Sequence, residues 1–210
     1  MTTRRQLLRG AALLPPAVSL AAAAAKSAEG KVAPGEDLMR EHGVLNRALL
    51  VYEAWLDTPV PPAQVLDGTA NLIHRFIEEY HEKIEEDELF LRLEKAGQLT
   101  ALTRILRQQH RAGRLLTEQI LASHGDRAKA SPPIRAFIRM YRPHEAREDT
   151  DLFPAFHRLV GDKEYERIGE RLEEREHQIL GQDGFEKAVQ QVAALENMIG
   201  IADLAQFTPR

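Results

Sequence analysis

Two stretches of this chain pair a histidine with a glutamate four residues later in closely similar settings. His81-Glu82-Lys83-Ile84-Glu85-Glu86-Asp87-Glu88-Leu89-Phe90 is echoed by His144-Glu145-Ala146-Arg147-Glu148-Asp149-Thr150-Asp151-Leu152-Phe153. On a helix, residues four apart stand one above the other, so His81 with Glu85 and His144 with Glu148 each present an imidazole beside a carboxylate. Alone, such a pair is a solvated charged face, because charged side chains are seldom buried without partners. The second copy repeats the His, the Glu, an acid at the seventh position (Glu88, Asp151) and the Leu-Phe that comes next. Two facing copies would make a metal site of the kind found inside helix bundles.

Two further histidines occupy places where a leucine would be expected. Leu38, His42, Leu45, Leu49, Tyr52 and Leu56 form one apolar stripe, and Leu102, Leu106, His110, Gly113, Leu116 and Ile120 form another. One inward histidine is ordinarily a hydrogen-bonded core residue. Four of them, with two carboxylates, would be costly to bury unpaired, and a cation removes that cost. The candidate ligands are His42, His81, Glu85, His110, His144 and Glu148.

The elements needed to position these residues are legible in the same pattern. Helical periodicity and punctuation by Pro and Gly predict helices over about 36–57, 62–96, 99–122 and 131–160, the last with Ser131 as its cap and Pro132-Pro133 in its first turn. The inward stripe of the second helix is expected to include Ile73, Ile77, Tyr80, Ile84, Glu88 and Leu91. Residues 163–180 and 185–198 read as two more helices, followed by a tail. The expected fold is all-α: an up-down-up-down four-helix bundle over 36–160 with an extra C-terminal helical segment over 161–210.

Composition narrows the chemistry. With 210 residues, 43% hydrophobic and 29% charged, the chain can bury one core. It has no cysteine, which removes disulfides, thiolate catalysis, zinc fingers and iron–sulfur clusters, so any metal must be held by nitrogen and oxygen. The net charge of -4 makes nucleic acid an unexpected partner.

The N-terminus is set apart from the rest. Thr3-Arg4-Arg5-Gln6-Leu7-Leu8, a moderately apolar run and five alanines at 21–25 resemble a twin-arginine export signal over 1–25, with a linker over 26–35. Pro15-Pro16 and the short apolar length argue against a stable membrane-spanning helix. The expected location is the periplasm or another exported compartment.

Taken together, Asp37 to His42, Tyr80 to Phe90, Gln109-His110 with Gly113, and His144 to Pro154 resemble the hemerythrin-like, HHE-type cation-binding proteins over about residues 37–160. The resemblance implies that the six candidate residues ligate a pair of iron ions, with a small diatomic ligand or iron itself as the partner. It implies sensing, storage or detoxification of oxygen, nitric oxide or iron. The alternatives are a redox enzyme of peroxidase or oxidase type and a helical interaction module with a structural metal. An HExxH metalloprotease is excluded, since Glu85 stands where its second histidine would be. Oxygen carriers of the family place two histidines four apart on the third helix, whereas here Arg114 follows His110; His74 and His177 are the candidates to fill that place. Tyr52, Tyr80 and Tyr141 lie near the ligand layer, and Glu88 and Asp151 are candidate acceptors for ligand N–H groups.

Overall fold

The structure, a computed structural model, describes residues 32–209. The expected export signal, and most of the linker after it, lie outside the described residues. Among the described residues every regular element is helical.

Helix α1 is Pro34–Asp57, opened by a proline at its first turn and carrying Glu36 and Asp37 where the helix dipole favours acids. Helix α2 is continuous over 63–95 and changes pitch twice, with π-helical stretches at Ile73–His81 and Glu85–Phe90. Gly97, at φ +69°, ends it in a conformation that glycine adopts freely. Helix α3 is Thr100–Ala122. Helix α4 covers 127–160, with a π-helical turn at Glu148–Leu152. Helices α5, Asp162–Leu180, and α6, Gly184–Ile199, come next, and then a 3-10 turn at Leu204–Phe207.

The start of α4 differs from the sequence expectation. Asp126, not Ser131, is the cap, accepting hydrogen bonds from the Ala128 and Lys129 amides. Pro132 and Pro133 therefore sit inside the helix. Their missing N–H groups leave the carbonyls of Ala128 and Lys129 without helical donors, and both residues are exposed to water, which can replace them.

The π turns also correct the inward stripe of α2. Each lengthens the backbone bond to five residues, as where the Glu82 amide reaches the Ile77 carbonyl. An extra residue per turn rotates the rest of the helix about its axis, so Leu89, Phe90 and Leu93 are buried while Leu91 is 40% exposed and Glu88 turns to Arg92. Proline has a part in the same device on α4. Pro154 cannot donate to the Thr150 carbonyl, and the preceding turn is the wide one, closed by the Phe153 amide on Glu148.

The four pack as a ring, α1 on α2 and α4 and α3 on α2 and α4, and the last turns of α2 and α4 also touch each other. The buried core runs through all four, with Trp55, Tyr52, Phe90 and Phe137 fully enclosed. Helix α6 lies on α1 and α2, held by the Arg47–Glu196 ion pair and by Gly68, whose missing side chain makes room for Leu195. Helix α5 touches α1, α2 and the end of α4, and its Arg175 pairs with Asp87 at 2.7 Å. The charged face 164–176 thus fastens the C-terminal segment to α2.

Candidate metal centre

The six expected residues converge in the interior. His42 comes from α1, His81 and Glu85 from α2, His110 from α3, and His144 and Glu148 from α4; all are buried. Ligand atoms of Glu85, His110, His144 and Glu148 lie within 4.8 Å of one another, and so do those of His42, His81 and Glu85.

The imidazoles form two pairs. His42 Nε2 faces His81 Nε2 at 3.0 Å, and His110 Nε2 faces His144 Nε2 at 3.2 Å. Glu148 stands 3.4 Å from His42 Nε2 and 3.1 Å from His144 Nε2, so it reaches both pairs. Glu85 also reaches both, at 3.5 Å from His81 and 3.5 Å from His110.

The other ring nitrogens fix the rings. His42 Nδ1–H donates to Asp149 at 2.7 Å, His81 to Glu41 at 2.5 Å, His110 to Glu86 at 3.0 Å and His144 to the Gln109 side-chain oxygen at 2.9 Å. With Nδ1 held by an acceptor, each ring turns Nε2 inward. Two ring nitrogens at 3.0 Å need a proton or a cation between them.

The residues present fit a bound cation. All four side-chain oxygens of Glu85 and Glu148 are buried without a hydrogen bond, a costly arrangement for carboxylates. Two donors about 2.1 Å from one cation and at right angles to each other stand about 3.0 Å apart, matching the spacing within each imidazole pair. Phe153 stacks on His42 at 5.6 Å and Phe90 on His110 at 5.5 Å, which explains why a phenylalanine closes both copies of the repeated pattern.

The charges of the metal-free site respond in the same sense. Burial opposes a charge on His42, but Asp149, Glu148 and Glu85 outweigh it and hold its pKa well above the ordinary value. Burial and then the charge of His42 push His81 well below its own. Burial and the facing Glu148 push Glu85 up; Glu148 is held down, because His144 and His42 overcome the effect of its burial.

Around this centre lies a polar shell in which the sequence expectation placed Tyr80 and Tyr141 but not their partners. Tyr80 donates to Glu41 at 2.9 Å, Tyr141 donates to Glu82 at 2.5 Å, and Asn46 donates to the buried Glu145. Arg114 bridges Glu82 at 2.7 Å and Glu86 at 2.8 Å. The residues expected to accept from ligand N–H groups do otherwise, as Glu88 pairs with Arg92 and Asp151 with Arg147 at the surface. Tyr52 is enclosed with its hydroxyl unpaired. His74 is half exposed beside Glu78 and Glu79, His177 is exposed, and neither joins the cluster.

A titration isolates one carboxylate in the first turn of α1. Burial, and secondarily Glu41, raise the pKa of Asp37 from 3.8 to about 6. Its contribution to stability is full below the unfolded value and is lost as pH rises through about 6, because the unfolded chain gives up that proton first. Asp37→Asn is therefore expected to melt at a higher temperature, relative to the wild type, at about pH 7 than at about pH 4. Equal differences at the two pH values would show that Asp37 is not desolvated.

Interior imidazoles and carboxylates on a helical frame define a cation-binding protein. The chain belongs to the hemerythrin family, matching the Hemerythrin HHE cation binding domain over residues 33–156. It is also 44% identical, over 193 residues, to uncharacterized proteins of Mycobacterium bovis and of two strains of Mycobacterium tuberculosis, an alignment covering 86% of this chain and 76% of each relative. No solved structure matches the chain.

Proposed function

We propose that the protein binds a pair of non-haem iron ions and uses them to sense, store or detoxify oxygen, nitric oxide or iron. The observation that carries this reading is the two imidazole pairs sharing two carboxylates whose oxygens have no hydrogen bonds. Imidazole nitrogen with carboxylate oxygen suits iron, which would supply redox chemistry and affinity for small diatomic ligands.

The chain's own side chains do the rest. Glu85 and Glu148 offset cation charge from between the two positions. Four Nδ1–H bonds hold the rings in one tautomer and one orientation. Phe90, Phe153 and the surrounding aliphatic core exclude water. Four imidazole nitrogens and four carboxylate oxygens, divided between two six-coordinate cations, would leave positions open, which supports a reactive centre over a metal that only staples the fold.

Arg114 bears on the kind of reactivity. Its guanidinium is committed to Glu82 and Glu86, so α3 contributes one imidazole only. That supports sensing, storage or detoxification over reversible oxygen carriage. A peroxidase or oxidase would use the same six side chains, and Tyr141, with its ring 5.3 Å from that of His144, favours keeping this as the second reading.

Metal analysis of protein purified from iron-containing medium should find about two irons per chain, with absorption that changes between anaerobic and aerobic conditions. One ion per chain, or a spectrum indifferent to oxygen and peroxide, would sink the proposal. The reading includes export. Arg4-Arg5 and the alanine run support a twin-arginine route, and equal recovery outside the cytoplasm from hosts with and without that route would refute it.

A further inference from the structure

The two imidazole pairs are alike in geometry and unlike in charge. Around His42 and His81, both Nδ1–H groups donate to carboxylates, Asp149 and Glu41, and the buried Glu145 lies close by. Among the described residues no Lys or Arg forms an ion pair with any of these three acids. Around His110 and His144, one Nδ1–H donates to Glu86 and the other to the neutral amide of Gln109. Glu86 and its neighbour Glu82 are both bridged by Arg114. One pair thus has both of its Nδ1–H groups on carboxylates that no Lys or Arg pairs. The other has two acids offset by Arg114 and by Lys83, which stands 3.6 Å from Glu86, and an uncharged acceptor.

We infer that the two cation positions are unequal: the one at His42 and His81 fills first and holds its ion more tightly, and the one at His110 and His144 is exchangeable. The inference rests on the two-cation reading above and refines it. A ligand imidazole that donates to a carboxylate is a stronger base toward metal than one that donates to an amide, and each such partner is typically worth about 10–100-fold in affinity. Arg114 acts in the opposite direction at the second position, since a fixed positive charge repels an incoming ion. Glu85 and Glu148 are shared by both positions and do not discriminate.

The test is an anaerobic titration of the metal-free full chain with ferrous ion, read by competition with a chelator. Alongside the wild type run Asp149→Asn, at a side chain 35% exposed and so tolerant of change, and Gln109→Glu. Melting curves of the metal-free proteins establish that each is folded. The wild type is expected to bind in two resolved steps separated by at least about tenfold. Asp149→Asn should weaken the tighter step and bring the two together. Gln109→Glu should strengthen the weaker step and leave the tighter one in place. Two ions binding in a single unresolved step in the wild type would overturn the inequality and leave the two-cation reading standing. So would an Asp149→Asn variant weakened only in its second step. Uptake of fewer than two ions by the folded wild type would overturn both.

Discussion

A protein carrying Glu85→Ala and Glu148→Ala is expected to fold and to take up no metal. Both carboxylates stand between the two imidazole pairs, so each removal takes a donor from both positions at once. Outer partners alone are typically worth about 10–100-fold in affinity, and a shared ligand is expected to be worth more. The fold should survive for a reason visible in the metal-free site. The four oxygens have no hydrogen-bond partner and the two carboxylates face each other, so their removal relieves a desolvation cost. Glu85→Gln and Glu148→Gln, which keep volume, guard against a cavity effect. The measurement is metal content after dialysis, paired with melting curves with and without chelator. Chelation should lower the melting temperature of the wild type, because bound ion stabilises the folded state, and should leave the double variant unmoved. Full metal content in the double variant would disprove the site.

Gly113→Ala should be the most damaging small substitution near the centre. A methyl at this position would meet the Tyr141 hydroxyl at 2.1 Å and two ring carbons at 2.9 Å. Tyr141 has no easy retreat. Its hydroxyl is bonded to Glu82, and its ring stacks on Phe137 at 4.3 Å. Overpacking of this kind costs about 1–3 kcal/mol, of which the better helix propensity of alanine returns up to about 1 kcal/mol. The buried Glu82 would also lose a donor. A net loss of about 2 kcal/mol in a denaturant titration is the expected outcome. Gly43→Ala on α1 is the control, since nothing lies within 4 Å of its added carbon, and it should gain up to about 1 kcal/mol. Equal stability of the two variants would show that the contact between α3 and α4 is looser than described.

The ligand candidates and the helices that carry them are the part most legible in the sequence, because both derive from periodicity along one chain. A histidine in a leucine stripe, or a His and a Glu four apart, is a one-dimensional signal. The acceptors for the ring N–H groups are not. Each comes from a different helix than the ring it holds, and sequence spacing says nothing about contacts between helices. Glu88 and Asp151 are the natural choices on the repeated motif, but the wide turns of α2 and α4 break the register on which that choice depends, and both acids end in surface ion pairs. The sequence nonetheless holds a usable signal. Glu41, Glu86, Gln109 and Asp149 each sit directly beside a ligand candidate: His42, Glu85, His110 and Glu148. A polar neighbour of an inward residue points sideways along the bundle, toward the adjacent helix. The cap at Asp126 escapes sequence reasoning for a different reason, since two prolines in sequence are a strong start signal and the exposure that lets them lie deeper in a helix is a tertiary fact.

Those four acceptors close a circuit. Glu41 on α1 holds His81 on α2, Glu86 on α2 holds His110 on α3, Gln109 on α3 holds His144 on α4, and Asp149 on α4 holds His42 on α1. Every helix gives one clasp and receives one. If the chain were severed in the connection between α2 and α3, each half would keep a single internal clasp, and the two that join the halves would be lost until the fragments met again. Neither fragment could therefore serve as a smaller working version of the whole. Capture of the ion becomes a report on complete assembly, delivered only when the last helix has docked.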